Sequence, residues 1–225
     1  MSTINIEEMA KASVQVGHKT QRWNPRMRKF IYGEKNGIHI FNLEETKKMA
    51  EKAMEFLNDA VKSGKRVMIV STKPQSTRFV IEFAKKTGTL YVVKKWVPGL
   101  LTNFETMKKR IRHLTELKRM RDEGEFDKYT KKEIAGFRKE IEKLEASLGG
   151  VEGMDKLPEV VLVLDSVRDK IAVDECRVKG IPTVGICDTN ADPFSVDHPI
   201  PGNDDSVKSI EFFLNLLSSA FARKA

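Results

Sequence analysis

The chain has 225 residues, of which 40 are Lys or Arg and 32 Asp or Glu, giving a formal net charge of +8 and a pI near 9.4. That length suits one sizeable core, or one core with an appendage, and 40% apolar with 32% charged residues is the composition of a soluble globular protein. No stretch approaches the roughly eighteen apolar residues of a membrane span, and residues 1–8 resemble no targeting leader, so a cytoplasmic protein without membrane attachment is expected. Excess base favours an anionic partner without choosing among RNA, DNA and lipid. Cys176 and Cys187 form no CxxC and are expected to be ordinary buried thiols, not a disulfide.

In chain order, Ile6, Met9, Ala10, Ser13 and Val14 give a weak helical spacing over residues 4–16. Residues 17–41 follow as a cationic loop and a hairpin, with strands over 28–32 and 38–41 and a turn over 33–37. Asn42 starts a strongly amphipathic helix to Gly64, with Glu45 at the capping-box spacing. Residues 66–70 are a short apolar strand of the kind buried on both faces of a parallel sheet. A helix over 74–88 and a strand over 90–93 continue the alternation.

The rhythm breaks at Thr102. Phe104, Met107, Ile111, Leu114 and Leu117, then Ile134, Phe137, Ile141, Leu144 and Leu148, repeat at three and four, with Gly124 and a Thr130/Glu133 capping box between them. The pattern predicts an inserted antiparallel, coiled-coil-like helical hairpin over 104–150 that projects from the rest. Beyond it come a strand over 159–164 and a helix over 168–179 with Ile171, Ala172, Cys176 and Val178 inward. A strand over 182–187 and a closing helix over 204–221 complete the chain. The predicted class is α/β, a mostly parallel sheet with helices on both faces formed by residues 1–103 and 151–225, interrupted by the hairpin.

Candidate sites follow from charge and turn chemistry. Lys19, Arg22, Arg26, Arg28 and Lys29 surround Trp23-Asn24-Pro25, where proline enforces a rigid irregular path. Cations on such a loop suit phosphates, and the indole suits a base or ribose, which points to folded RNA; a solvated loop with Trp23 packed on the core is the plainer alternative. A second cationic set, Lys108, Lys109, Arg110, Arg112, Lys118, Arg119 and Arg121, lies on the first hairpin helix with Glu116 as its counterweight, and is either RNA-facing or a solvated flank.

An enzyme or small-molecule sensor on this fold would use the loop 71–77 and the acidic loops after the later strands. No GxGxxG or Walker motif supports nucleotide binding, and no catalytic constellation is legible among four histidines. His18, Asp188, Asp192, Asp204 and Asp205 could converge on a metal, but Asp204 and Asp205 are more simply the acidic start of the closing helix and Asp188 and Asp192 turn residues. No metal or cofactor is expected.

Several of these stretches also occur together in one known family. Gly17-His18, Trp23-Asn24-Pro25 and the run from Ile31 to Ile40, then Trp96, Gly99 and Leu101-Thr102-Asn103-Phe104, then Asp188-Thr189-Asn190, Asp192-Pro193 and Pro199-Ile200-Pro201-Gly202-Asn203-Asp204-Asp205, resemble the motifs of the small-subunit ribosomal protein S-two family. Val97-Pro98 and Ala191 depart from that pattern without removing a charge or a ring. The resemblance implies a flavodoxin-like strand order and a bacterial-type coiled-coil insertion. It also implies a non-enzymatic structural constituent of the small ribosomal subunit that binds ribosomal RNA and neighbouring ribosomal proteins, bridges head and body, and helps dock ribosomal protein S-one. No small-molecule substrate and no homo-oligomer are expected.

Overall fold

The computed structural model describes residues 4–222, so the outermost ends of the expected α/β unit, 1–3 and 223–225, lie outside the described residues. Asn5 caps α1 (Ile6–Lys11) by accepting the Glu7 amide at 2.8 Å, and the helix buries Met9. It stops sooner than the periodicity suggests: Ser13 takes φ 61°, a left-handed conformation that turns the chain into β1 (Val16–Lys19). The sequence does not announce this strand, because Val16-Gly17-His18-Lys19 is short and its one apolar side chain makes no alternation.

A 3₁₀ turn (Thr20–Arg22) and a 3₁₀ helix (Pro25–Phe30) follow, where a strand from Arg28 was expected. Pro25 supplies a φ already suited to a first helical turn and Asn24 caps it, so Met27 and Phe30, three apart, both point inward. β2 (Ile31–Lys35) therefore begins later and runs through the expected turn, which shrinks to Asn36-Gly37 at φ 53° and 73° before β3 (Ile38–Phe41). Lys35 pairs with Ile38, and the three strands form an antiparallel sheet in the order β1-β3-β2.

Asn42 caps α2 (Leu43–Lys62) through the Glu44 amide, while Glu45, placed for a capping box, pairs instead with Lys48 at 2.7 Å. The α/β core is built from β4 (Val67–Val70), α3 (Thr77–Thr87), β5 (Leu90–Val92), α4 (Phe104–Asp122), α5 (Lys131–Leu148), β6 (Val160–Val163), α6 (Lys170–Lys179), β7 (Thr183–Cys187), β8 (His198–Pro201) and α7 (Val207–Ser218). The sheet is entirely parallel in the order β5-β4-β6-β7-β8. Counted from its own first strand this is 2-1-3-4-5, the flavodoxin-like order. β8 was missed because its sequence, HPIP, has two prolines; they are tolerated because β8 is an edge strand.

Both faces of the sheet are covered. Val67, Ile69, Val160 and Leu162 pack with α1, α2, α3 and α7, while Met68, Val70, Val161 and Val163 meet Met27, Phe30, Phe41, the hairpin helices and α6. The hairpin's seam, from Met107 to Leu117 and from Ile141 to Leu148, is continuous with that second cluster. The Thr130/Glu133 capping box forms as expected. At its return to the body, a Cβ on Gly150 would lie 2.1 Å from the Tyr91 carbonyl oxygen, so only glycine permits this approach.

Two predicted phases are corrected. α6 starts at Lys170, and its inward residues are Ala172, Val173, Glu175 and Cys176; Ile171 and Val178 face outward. α7 starts at Val207, leaving Asp204 and Asp205 outside the helix they were expected to begin. Cys176 and Cys187 are free, and burial pushes both thiols up to about 12, leaving them unreactive. No helix among the described residues is long and apolar enough to cross a membrane.

Candidate nucleic-acid interface

The cationic loop is fastened to the far end of the chain. The Asn24 amide donates to the Thr189 carbonyl at 2.7 Å and the His18 amide to Thr189 Oγ1 at 2.9 Å. Gly17 packs so closely on Thr189 that a Cβ would fall 2.5 Å from its methyl carbon. Arg26 pairs with Asp192, whose other oxygen accepts the Phe194 amide at 3.0 Å. Two loops remote in sequence thus form one surface whose backbone is held by hydrogen bonds.

On that surface the side chains divide. Met27 and Phe30 are buried, whereas Lys19, Arg22, Arg28 and Lys29 are exposed and form no ion pair among the described residues. Trp23 is half-buried, its ring 5.2 Å from that of His39, whose two nitrogens lie covered without a hydrogen-bond partner. The indole therefore anchors the loop more than it presents a face.

The hairpin cations divide in the same way. Lys118 is held by Glu145 and Glu152, each at 2.8 Å, Arg119 by Glu116, Glu123 and Glu125, and Arg121 by Asp122. Lys108 donates to the Asp155 carbonyl at 2.7 Å. Lys109, Arg110 and Arg112 remain exposed with no ion pair among the described residues. Counting Glu116 alone as counter-charge missed acids supplied by the second helix, the tip and the segment after the hairpin.

At the carboxyl ends of β4 and β6, where the strand order reverses and ligands settle in such folds, a buried lysine fills the space. Lys73 Nζ lies 2.9 Å from Asp165, 2.6 Å from Asp204 and 2.7 Å from Asp205. Burial alone would lower its pKa, but these carboxylates raise it, while burial among Asp188 and Asp165 pushes Asp204 up against the pull of Lys73. Ser71 and Ser76 bond each other at 2.7 Å, and Asp169 takes Thr72 through its amide and hydroxyl. The polar groups that a small-molecule site on the loop 71–77 would need are committed to one another.

The late acidic residues do converge with His18. His18 Nδ1 lies 2.9 Å from Asp188 and Nε2 3.5 Å from Asp205; the hydrogen bond to Asp188 raises the imidazole pKa and burial opposes it. Asp192 stands apart, on Arg26. The counter-cation of the cluster is Lys73, from the loop 71–77.

A further carboxylate, with no signal in the sequence, organises the segment before the hairpin. Buried Glu175 on α6 accepts the Trp96 indole N–H at 2.9 Å and the amides of Gly99, Leu101 and Thr102 at 2.8, 2.9 and 3.0 Å, together with the Thr102 hydroxyl at 3.0 Å. The whole Trp96-to-Phe104 motif is thereby wrapped around a single carboxylate.

Comparison with known proteins agrees with these features. The family model described as Ribosomal protein S2 matches residues 9–224. The chain is 44% identical to small ribosomal subunit protein uS2 of Nitratidesulfovibrio vulgaris strain DP4, over 98% of this chain and 87% of the relative. It is 42% identical to the protein of that name from Solidesulfovibrio magneticus, over 98% of this chain and 85% of the relative. The Mycobacterium leprae protein of the same name is also 42% identical, over 99% of this chain and 80% of the relative. With the family model spanning nearly the whole chain and the motif loops meeting in one structure, the chain belongs to the ribosomal protein S2 family.

Proposed function

We propose that this chain is a structural constituent of the bacterial small ribosomal subunit, binding ribosomal RNA and neighbouring ribosomal proteins in support of assembly and translation. Its membership of a bacterial-type ribosomal family supports that role. The carrying observation in the molecule is a set of exposed, unpaired cations, Lys19, Arg22, Arg28 and Lys29, on a loop already fixed by Thr189 and Asp192. Pre-ordering removes conformational cost from binding, and cations in fixed positions neutralise phosphates of a given RNA shape. Lys109, Arg110 and Arg112 form a second phosphate-facing group, while Lys118, Arg119 and Arg121 chiefly hold the hairpin.

In this reading the α/β unit of residues 1–103 and 151–225 carries the main RNA grip, and residues 104–150 act as a separate module. The chain works without catalysis and without self-association, with ribosomal protein S-one among its neighbours. The test is sucrose-gradient sedimentation of a tagged chain beside a variant with Lys19, Arg22, Arg28 and Lys29 changed to Gln. The intact chain travels with the small subunit and the folded variant stays at the top; equal sedimentation of the two defeats the assignment of the grip.

A further inference from the structure

Two rings beside the cationic loop are more available to a partner than Trp23: Tyr32, 81% exposed on β2, and Phe194, the one that a loop cation contacts. Phe194, in the 3₁₀ turn Pro193–Ser195 between β7 and β8, is 65% exposed, far beyond what a core-forming phenylalanine shows. Its neighbours are specific. Lys29 Nζ stands 5.3 Å from the ring centroid and 4.6 Å from that of Phe30, bridging the exposed ring to a buried one. Asp192 caps the turn through the Phe194 amide and holds Arg26 with its other oxygen, and Arg177 donates to the Ser195 carbonyl at 3.1 Å. Ser195 Oγ closes the turn on the Asp192 carbonyl at 2.6 Å. An open groove of about 230 Å³ runs beside the ring, lined by Arg177, Thr183, Phe194 and Asp197 among others.

An exposed apolar ring costs solvation free energy, and here it sits on a hydrogen-bonded turn beside a cation, while the aliphatic residues of the groove, Val173, Ile181 and Val196, are themselves buried and add little exposed apolar area. A protein-docking patch would extend the apolar area across several side chains. An exposed ring beside the Lys29 ammonium, which has no ion pair among the described residues, fits instead an unstacked nucleobase whose flanking phosphate meets the charge. Resting on the RNA-binding reading of the same surface, we infer that Phe194 is a base-stacking platform for a single-stranded stretch of RNA, with Lys29 at its edge as a phosphate contact and Arg26, held by Asp192, bracing the turn.

The test measures binding of the full chain to a fluorescent twelve-nucleotide oligoadenylate by anisotropy across a salt series. Phe194→Ala weakens binding roughly 5- to 100-fold with an unchanged salt slope, Phe194→Tyr retains it, and Phe194→Leu, apolar but without a π face, behaves like Ala. Lys29→Gln reduces the slope by about one phosphate. Wild-type affinity in Phe194→Ala, or full retention in Phe194→Leu, overturns the platform. If the quadruple Gln variant loses binding while Phe194→Ala does not, the platform fails and the RNA-binding loop stands. Failure of the wild-type chain to bind overturns the platform, whereas co-sedimentation with small subunits decides the broader reading separately. Should Phe194→Ala bind oligoadenylate normally yet leave the subunit, the ring faces a protein and the inference is wrong.

Discussion

Glu175 and Trp96, 79 residues apart in sequence, meet through an indole N–H donated to Oε1 at 2.9 Å, inside the protein. Burial alone would raise the Glu175 pKa, but the amides of Thr102, Gly99 and Leu101 with the Trp96 indole hold it below the usual glutamate range. These hydrogen bonds to a charged acceptor set the path of the chain from β5 into the hairpin.

Replacing Glu175 with Ala strands several donors at once, and the expected loss is about 3 kcal/mol or more by urea denaturation. Gln fills the volume but carries two donors of its own and no charge, so Glu175→Gln also destabilises, by roughly 2 kcal/mol. A depressed folded-state pKa contributes stability above the unfolded value of about 4.3 that is lost as pH falls through the folded value. The wild-type stability curve should therefore have an acid limb below about pH 4.3 that is smaller in Glu175→Gln.

Lys73 poses the opposite problem, a cation whose removal leaves buried acids unbalanced. Lys73→Met should cost about 3–5 kcal/mol at neutral pH. Without the ammonium, the folded-state pKa of Asp204, already raised by burial, rises further above the unfolded one, so this penalty operates above that unfolded value and shrinks as acid protonates the group. Chemical denaturation at pH 5 and pH 8 checks the sign, and adding Asp204→Asn should recover part of the loss at pH 8 but little at pH 5.

The fastening of the cationic loop can be tested by a paired substitution. Gly17→Ala places a methyl group against the Thr189 methyl and should cost roughly 1–3 kcal/mol, with faster amide exchange at His18 and Asn24. Thr189→Ser deletes that methyl while keeping the hydroxyl that accepts from His18. The double variant should therefore be more stable than the sum of the single changes predicts, a coupling absent if the two residues do not touch.

Much of the α/β body was legible because β4, β6 and β7 are continuous apolar runs and α2, α3 and α7 have clear stripes. What escaped notice depends on tertiary context. HPIP becomes a strand only because β7 offers an edge, VGHK only because β3 lies beside it, and Pro25–Phe30 coils because Asn24 caps it. The cations of the candidate interface could be named from sequence, but not which of them were already neutralised, since Glu145, Glu152 and Asp192 lie 27, 34 and 166 residues from Lys118 and Arg26. Phe194 and Glu175 had no local signal at all: one is an aromatic in a turn, the other a carboxylate in a helix.

The bond from Asn24 to Thr189 also carries a consequence for biosynthesis. A chain made from its amino end exposes the cationic segment early, whereas Thr189, which fastens Asn24, is translated 165 residues later. Until residues 188–194 leave the ribosomal tunnel, Lys19 to Lys29 belong to an unfastened segment whose cations have no fixed arrangement. If the loop docks on RNA as proposed, docking waits for this later segment, and a chain truncated before residue 188 should compete poorly with one that contains it.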